Sequence, residues 1–124
     1  MDITVSKGRL MEAGAELLVL PLTKDKGLGA LKELGDEVMR RAERLVKTQE
    51  FSGDAGKSIL LPAPAGLEAH YILLIGLGER RKETLTDAMR EAGGIAIGTA
   101  RRLGVRTVAV DIGAKSVGFI DGAE

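Results

Sequence analysis

The chain has no cysteine and no tryptophan, which excludes disulfides, thiolate zinc sites and a cysteine nucleophile. It has one histidine, no asparagine, and three aromatic residues, Phe51, Tyr71 and Phe119. So little aromatic surface argues against base stacking, the usual basis of single-strand nucleic-acid binding. Charge of one sign is lacking too: 18 lysines and arginines balance 18 aspartates and glutamates. With no net charge, no global field draws the chain to nucleic acid or to an anionic membrane. Apolar runs stay well short of the roughly 18 residues of a membrane span. The N-terminal stretch MDITVSKGRL has no apolar signal core. These absences lead us to expect a cytoplasmic protein with no membrane partner.

What remains is a 124-residue chain, 44% apolar and 29% charged, with 17 glycines. That is one domain's worth of sequence, residues 1–124, enough to bury a single core. Ile3 and Val5 alternate with polar residues as in a half-buried strand. AELLVLPL, from Ala15, gives the continuous apolar run Leu17 to Leu22, which predicts a strand buried on both faces. After a lysine- and glycine-rich loop over 23–29, the period changes. Leu31, Leu34, Val38, Ala42 and Leu45 share one helical face, predicting a helix from Leu28 to about Lys47 despite Gly35. SILLP is a strand stopped by Pro62, Pro64 and Gly66 mark the next turn, and HYILLIGLG, from His70, is a second buried strand.

Thr84 reads as an N-cap for a helix over Leu85 to Leu103, with Asp87 near its positive end. Leu85, Met89, Ala92, Ala96, Ala100 and Leu103 form its apolar stripe, and Gly104 is placed to terminate it. Gly93, Gly94 and Gly98 within it cost about 2–3 kcal/mol in helix propensity. Close packing against a sheet or another helix is expected to offset that cost. RTVAVDI is a further buried strand, and residues 117–120 carry a faint strand signal. Helices alternating with apolar strands predict an α/β fold, three layers α/β/α around a mixed, mostly parallel sheet.

Three features suggest chemistry. SGDAGKS, Ser52 to Ser58, ends like a phosphate-binding P-loop. However, Phe51 occupies the position of the first glycine, and the stretch runs from a helix into a strand, the reverse of the required order. We expect instead a turn in which Gly53 and Gly56 take conformations closed to other residues. Gly76-Leu77-Gly78 does lie between a strand and a helix, where α/β proteins tend to bind ligands. Arg81 stands where a dinucleotide fingerprint needs its third glycine, so Gly76, Gly78 and Arg80 remain as candidate ligand-loop residues, with packing and turn geometry as the competing reading. His70 begins a strand without a metal-ligand neighbour in sequence and reads as an edge residue, and Asp111 as a loop cap. No Ser/His/Asp or paired-carboxylate motif stands out, and no cofactor, catalytic residue or metal ligand is assigned.

Taken together, AELLVLPL, EFSGDAGKSILLP from Glu50, ILLIGLGE from Ile72, the small-residue helix and VAV from Val108 resemble the N-terminal domain of the leucine aminopeptidase (cytosol aminopeptidase) family. The pieces run in the family's order over residues 3–112, with Glu16 where an aspartate is common. The resemblance implies a macro-domain-like fold and a non-catalytic accessory role. The family's two metal ions and its Asn-Thr-Asp-Ala-Glu-Gly-Arg motif belong to a C-terminal domain, and nothing in this chain matches it. The implied partners are an aminopeptidase catalytic domain or further copies of the chain, as in the family's hexamers. DNA binding occurs in some bacterial members, and Arg80, Arg81 and Lys82 would be its carriers here. The related macro domains bind ADP-ribose, which implies a phosphorylated small ligand as an alternative. The segment TKDKGLGAL, where that loop typically has an asparagine, has none.

Overall fold

A computed structural model describes residues 2–6, 14–24, 36–48, 53–63, 69–79 and 81–111. Along the chain these form β1 (Asp2–Ser6), β2 (Leu17–Thr23), α1 (Asp36–Thr48), β3 (Ser58–Pro62), β4 (Tyr71–Gly78), α2 (Lys82–Leu103) and β5 (Thr107–Asp111). The strands make one sheet in the order β1-β5-β2-β4-β3. β1–β5, β5–β2 and β2–β4 are parallel, and β3 runs antiparallel at the edge beside β4. The expected mixed, mostly parallel sheet is the one observed.

The alternation of side chains along each strand divides the core into two layers. Leu18, Leu20 and Leu22 of β2 join Ile72 and Leu74 of β4, Ile59 and Leu61 of β3 and Ala42 of α1. Leu17 and Val19 join Leu73, Ile75 and Leu77 with Leu85, Ala92, Ala96 and Ala100 of α2. Among the described residues one helix therefore covers each face, which makes three layers. All seven residues of β2 are buried, as an apolar run without alternation requires. β3 shows the contrary pattern at the edge, with Ile59 and Leu61 buried and Ser58, Leu60 and Pro62 exposed. Each fully buried leucine contributes about 1.5–3 kcal/mol relative to exposure, so β2 and β4 are the mechanical centre of the fold.

One expectation for α2 needs correction and another narrows. The helix starts at Lys82, and Arg81 is its N-cap, with no side-chain cap. Leu85 N–H already donates to the Arg81 carbonyl at 2.9 Å, so Thr84 lies within the first turn, its hydroxyl directed back to the same carbonyl at 3.5 Å. The glycines do not pack against the sheet either. The alanines of the stripe do so, while Gly93, Gly94 and Gly98 are exposed, and a β-carbon on any of them would meet nothing within 4 Å among the described residues. A slot of about 50 Å³ between Gly93, Met89, Pro21 and Val110 shows how loosely that flank is filled. Gly104 ends the helix as expected, at φ 73°.

Residues 28–35 of the predicted first helix, the Pro64–Gly66 turn, the 117–120 segment and Arg80 lie outside the described residues.

Candidate functional site

The carboxyl ends of β2 and β4 lie side by side, and the turn 53–57 folds across them. Gly53 and Gly56 hold φ of +87° and +84° there, the conformations expected of a glycine turn. Ser58 opens β3, so a strand follows the GKS stretch, as expected. Gly76 serves a different purpose, close approach. A β-carbon there would stand 2.6 Å from the Gly53 carbonyl carbon and closer still to the Asp54 carbonyl oxygen. The two segments share their backbone hydrogen bonds: Gly76 N–H donates to Lys57 O at 2.8 Å, Gly78 N–H to Gly53 O at 2.8 Å, and Gly56 N–H to Gly76 O at 3.3 Å. Lys24 N–H closes the set on Gly78 O at 2.9 Å.

The side chains around this junction carry charge of both signs. Lys24 Nζ is 2.9 Å from Asp54 Oδ1. The hydrogen bond and charge of Asp54 raise the lysine's pKa above its ordinary value. Beside Gly78 opens a cleft of about 490 Å³, walled by Glu79, Arg81, Asp87 and Glu91 over a floor that includes Leu77. Arg81 is already engaged by Glu79 at 2.6 Å. Among the described lining residues, three carboxylates stand against one paired guanidinium, which makes that wall acidic. Glu91 reaches toward the turn, and a β-carbon on Gly56 would stand 3.1 Å from its Oε1. Thr23, at the end of β2, is buried, and its hydroxyl finds no hydrogen-bond partner among the described residues.

Of the candidate ligand-loop residues, Gly78 lines the cleft, Gly76 lies beneath the turn, and Arg80 is outside the described residues. The N–H groups of both glycines are committed to carbonyls of the turn. Of the basic run 80–82, Arg81 is ion-paired and the Lys82 side chain is not described. Sequence reasoning missed the acidic wall. Its signal was Asp87 and Glu91 spaced one turn apart on the face of α2 away from the apolar stripe.

The opposite end of the sheet has its own polar cluster, also unforeseen. Glu16, just before β2, accepts the Arg106 N–H on Oε1 at 2.9 Å and faces the Thr107 hydroxyl at 3.4 Å. Its own N–H donates to Thr107 Oγ1 at 2.9 Å. His70 Nδ1 stands 3.9 Å from Glu16 Oε2, and its side chain is exposed, as an edge residue's would be. The backbone bond from Arg106, opposed by some desolvation and helped by Thr107 and His70, holds the Glu16 carboxyl below its ordinary pKa. Among the described residues no group of three or more histidines, aspartates or glutamates is placed to hold a metal ion. No described helix is long and apolar enough to cross a membrane.

The model of the cytosol aminopeptidase family's N-terminal domain matches residues 19–121. A probable cytosol aminopeptidase of Roseiflexus castenholzii is 35% identical over 105 residues, which are 85% of this chain and 19% of that protein. The chain thus spans about a fifth of that relative's length. Among solved structures, a variant of tomato leucine aminopeptidase superposes with a TM-score of 0.71 at 21% identity, over 89% of this chain and 22% of the other. The macrodomain of Mycobacterium tuberculosis DarG gives the same TM-score and identity over 96% of this chain and 81% of its own. The fold is macrodomain-like.

Proposed function

Because the chain belongs to the cytosol aminopeptidase family, through that family's N-terminal domain, we propose that it is a non-catalytic accessory domain that organises the assembly of a metallo-aminopeptidase. One observation carries this reading: the match over residues 19–121 is to the N-terminal domain. The activity implied by the name of its relatives would reside in residues beyond this stretch. Assaying the purified 124-residue chain against leucine p-nitroanilide with added manganese or zinc tests the proposal. No turnover above the metal-only blank is expected, and sustained hydrolysis that a chelator abolishes would overturn it.

A second reading, a phosphorylated small ligand such as ADP-ribose at the Gly76–Gly78 edge, draws support from two observations. The cleft opens at the carboxyl end of a central strand, where α/β sheets tend to hold ligands, and at the same sheet end the buried Thr23 hydroxyl has no partner among the described residues. The acidic wall and the committed glycine N–H groups count against it, so it ranks second. Titration calorimetry with ADP-ribose is expected to show binding if this reading holds, and an absence of heat at millimolar ligand would remove it.

A further inference from the structure

Helix α2 has a second organised face. With 3.6 residues per turn, Asp87, Glu91, Gly94, Gly98 and Arg101 fall on one line at alternating steps of four and three. They lie opposite the buried Leu85, Ala92 and Ala96, and all five are exposed. The line is ordered by charge, with carboxylates toward the N-terminal end, glycines at the waist, and Arg101 beside Arg102 at the C-terminal end. Asp87 is engaged by Arg90 at 3.7 Å. Glu91 and Arg101 have no ion-pair partner among the described residues. Nothing described covers the glycines.

This face is complementary to itself when turned end for end. About a pivot at Ala96, Gly94 falls over Gly98 and Glu91 over Arg101, each charged residue about 7.5 Å from the pivot at 1.5 Å per residue. We propose that two copies of this chain associate through this face, their α2 helices antiparallel across a two-fold axis. Such a contact is isologous and closes on itself, so each Glu91–Arg101 pair is made twice. The glycine waist lets the helix axes approach toward the lower end of the about 8–10 Å range of packed helices. Arg101 and Arg102 of the second copy enter the acidic cleft whose wall is Asp87 and Glu91. A parallel pairing would set Glu91 on Glu91 and Arg101 on Arg101. A nucleic acid would meet the carboxylates, and a basic peptide would leave Arg101 and Arg102 unanswered. A second copy, inverted, satisfies both ends.

The inference gives the accessory reading a contact surface and rests on it only for the role that association would serve. Sedimentation velocity on the 124-residue chain at low salt, from about 1 to 200 µM, brackets ordinary weak-to-moderate dimer affinities. A reversible dimer is expected. Gly94→Leu and Arg101→Glu should each weaken it about tenfold or more, circular dichroism confirming that both variants fold, whereas the double exchange Glu91→Arg with Arg101→Glu should recover most of the affinity. A chain that stays monomeric throughout, a dimer indifferent to Gly94→Leu, or a double exchange no better than its parents would each overturn the proposal. A dimer held elsewhere would overturn the contact and leave the accessory reading standing. Peptidase turnover would overturn that reading and leave the contact untouched.

Discussion

The two ends of the central sheet are closed by different physics. At the carboxyl ends of β2 and β4, the 53–57 turn is laid backbone against backbone on Gly76 and Gly78, with hydrogen bonds between main-chain groups and almost no room for a side chain. At the amino ends, a single carboxylate, Glu16, gathers the start of β5 through the Arg106 N–H and the Thr107 hydroxyl and stands beside His70. The first closure depends on the absence of β-carbons, the second on the presence of a charge. Steric change should therefore destroy one and acid the other.

The strongest way to break this contrast is Gly76→Ala. The added methyl would stand within 2.6 Å of the Gly53 carbonyl carbon, and the obstacle is backbone, which cannot turn aside as a side chain could. The turn has to lift away, losing the bonds from Gly78 N–H to Gly53 O and from Gly76 N–H to Lys57 O. A cost of about 3 kcal/mol or more is expected, at the upper end of what overpacking and lost buried hydrogen bonds produce. Urea denaturation measures it, and a loss below about 1 kcal/mol would show that the turn yields easily.

How far this arrangement could be read in the sequence depends on the range of the interaction. β2 and β4 were legible because burial on both faces demands unbroken apolar runs, which Leu17–Leu22 and Tyr71–Ile75 display. The glycine turn was legible because Gly53 and Gly56 are local signals between a helix and a strand. The start of α2 was misread because Thr84 is a good capping residue by type, yet the carbonyl that receives the first helical bond belongs to Arg81. The role of the α2 glycines was only half legible, for a different reason. Their small size predicts close approach without saying to what, and the buried positions one step away had already gone to alanine. The Glu16 cluster could not be foreseen, because it links residues about ninety positions apart that meet only where β5 lies beside β2.

Acid tests the amino end of the comparison. Glu16 has its pKa lowered in the folded chain, chiefly by the bond from the Arg106 N–H. A carboxyl depressed on folding contributes stability that is fully present above its unfolded value, and that contribution is lost as pH falls through the folded value. Glu16→Gln keeps an acceptor for that N–H and removes the charge. The variant should be less stable than the parent at neutral pH, and the two should converge as pH falls below the ordinary glutamate range, as read from thermal midpoints across the range. Parallel curves with no convergence would mean that the carboxylate contributes geometry alone. Gly76→Ala, by contrast, should shift the whole curve down without altering its shape in acid.

The smallest effect is expected from the ion pair that ties the 53–57 turn to the end of β2. Lys24 and Asp54 are both about half exposed, and exposed pairs contribute little once side-chain entropy and solvent screening are counted. Because Asp54 raises the Lys24 pKa, the pair's contribution is present below the ordinary lysine value and fades as pH rises through the folded one. Lys24→Met keeps the aliphatic stem against Gly53 while removing the charge. Its denaturation midpoint should match the parent's at neutral pH in high salt and fall slightly below it in low salt, the difference closing as pH rises through the lysine's raised pKa. A large loss at neutral pH would mean that this end is held by charge after all. The near-identity expected here is what distinguishes a closure made by backbone from one made by a carboxylate.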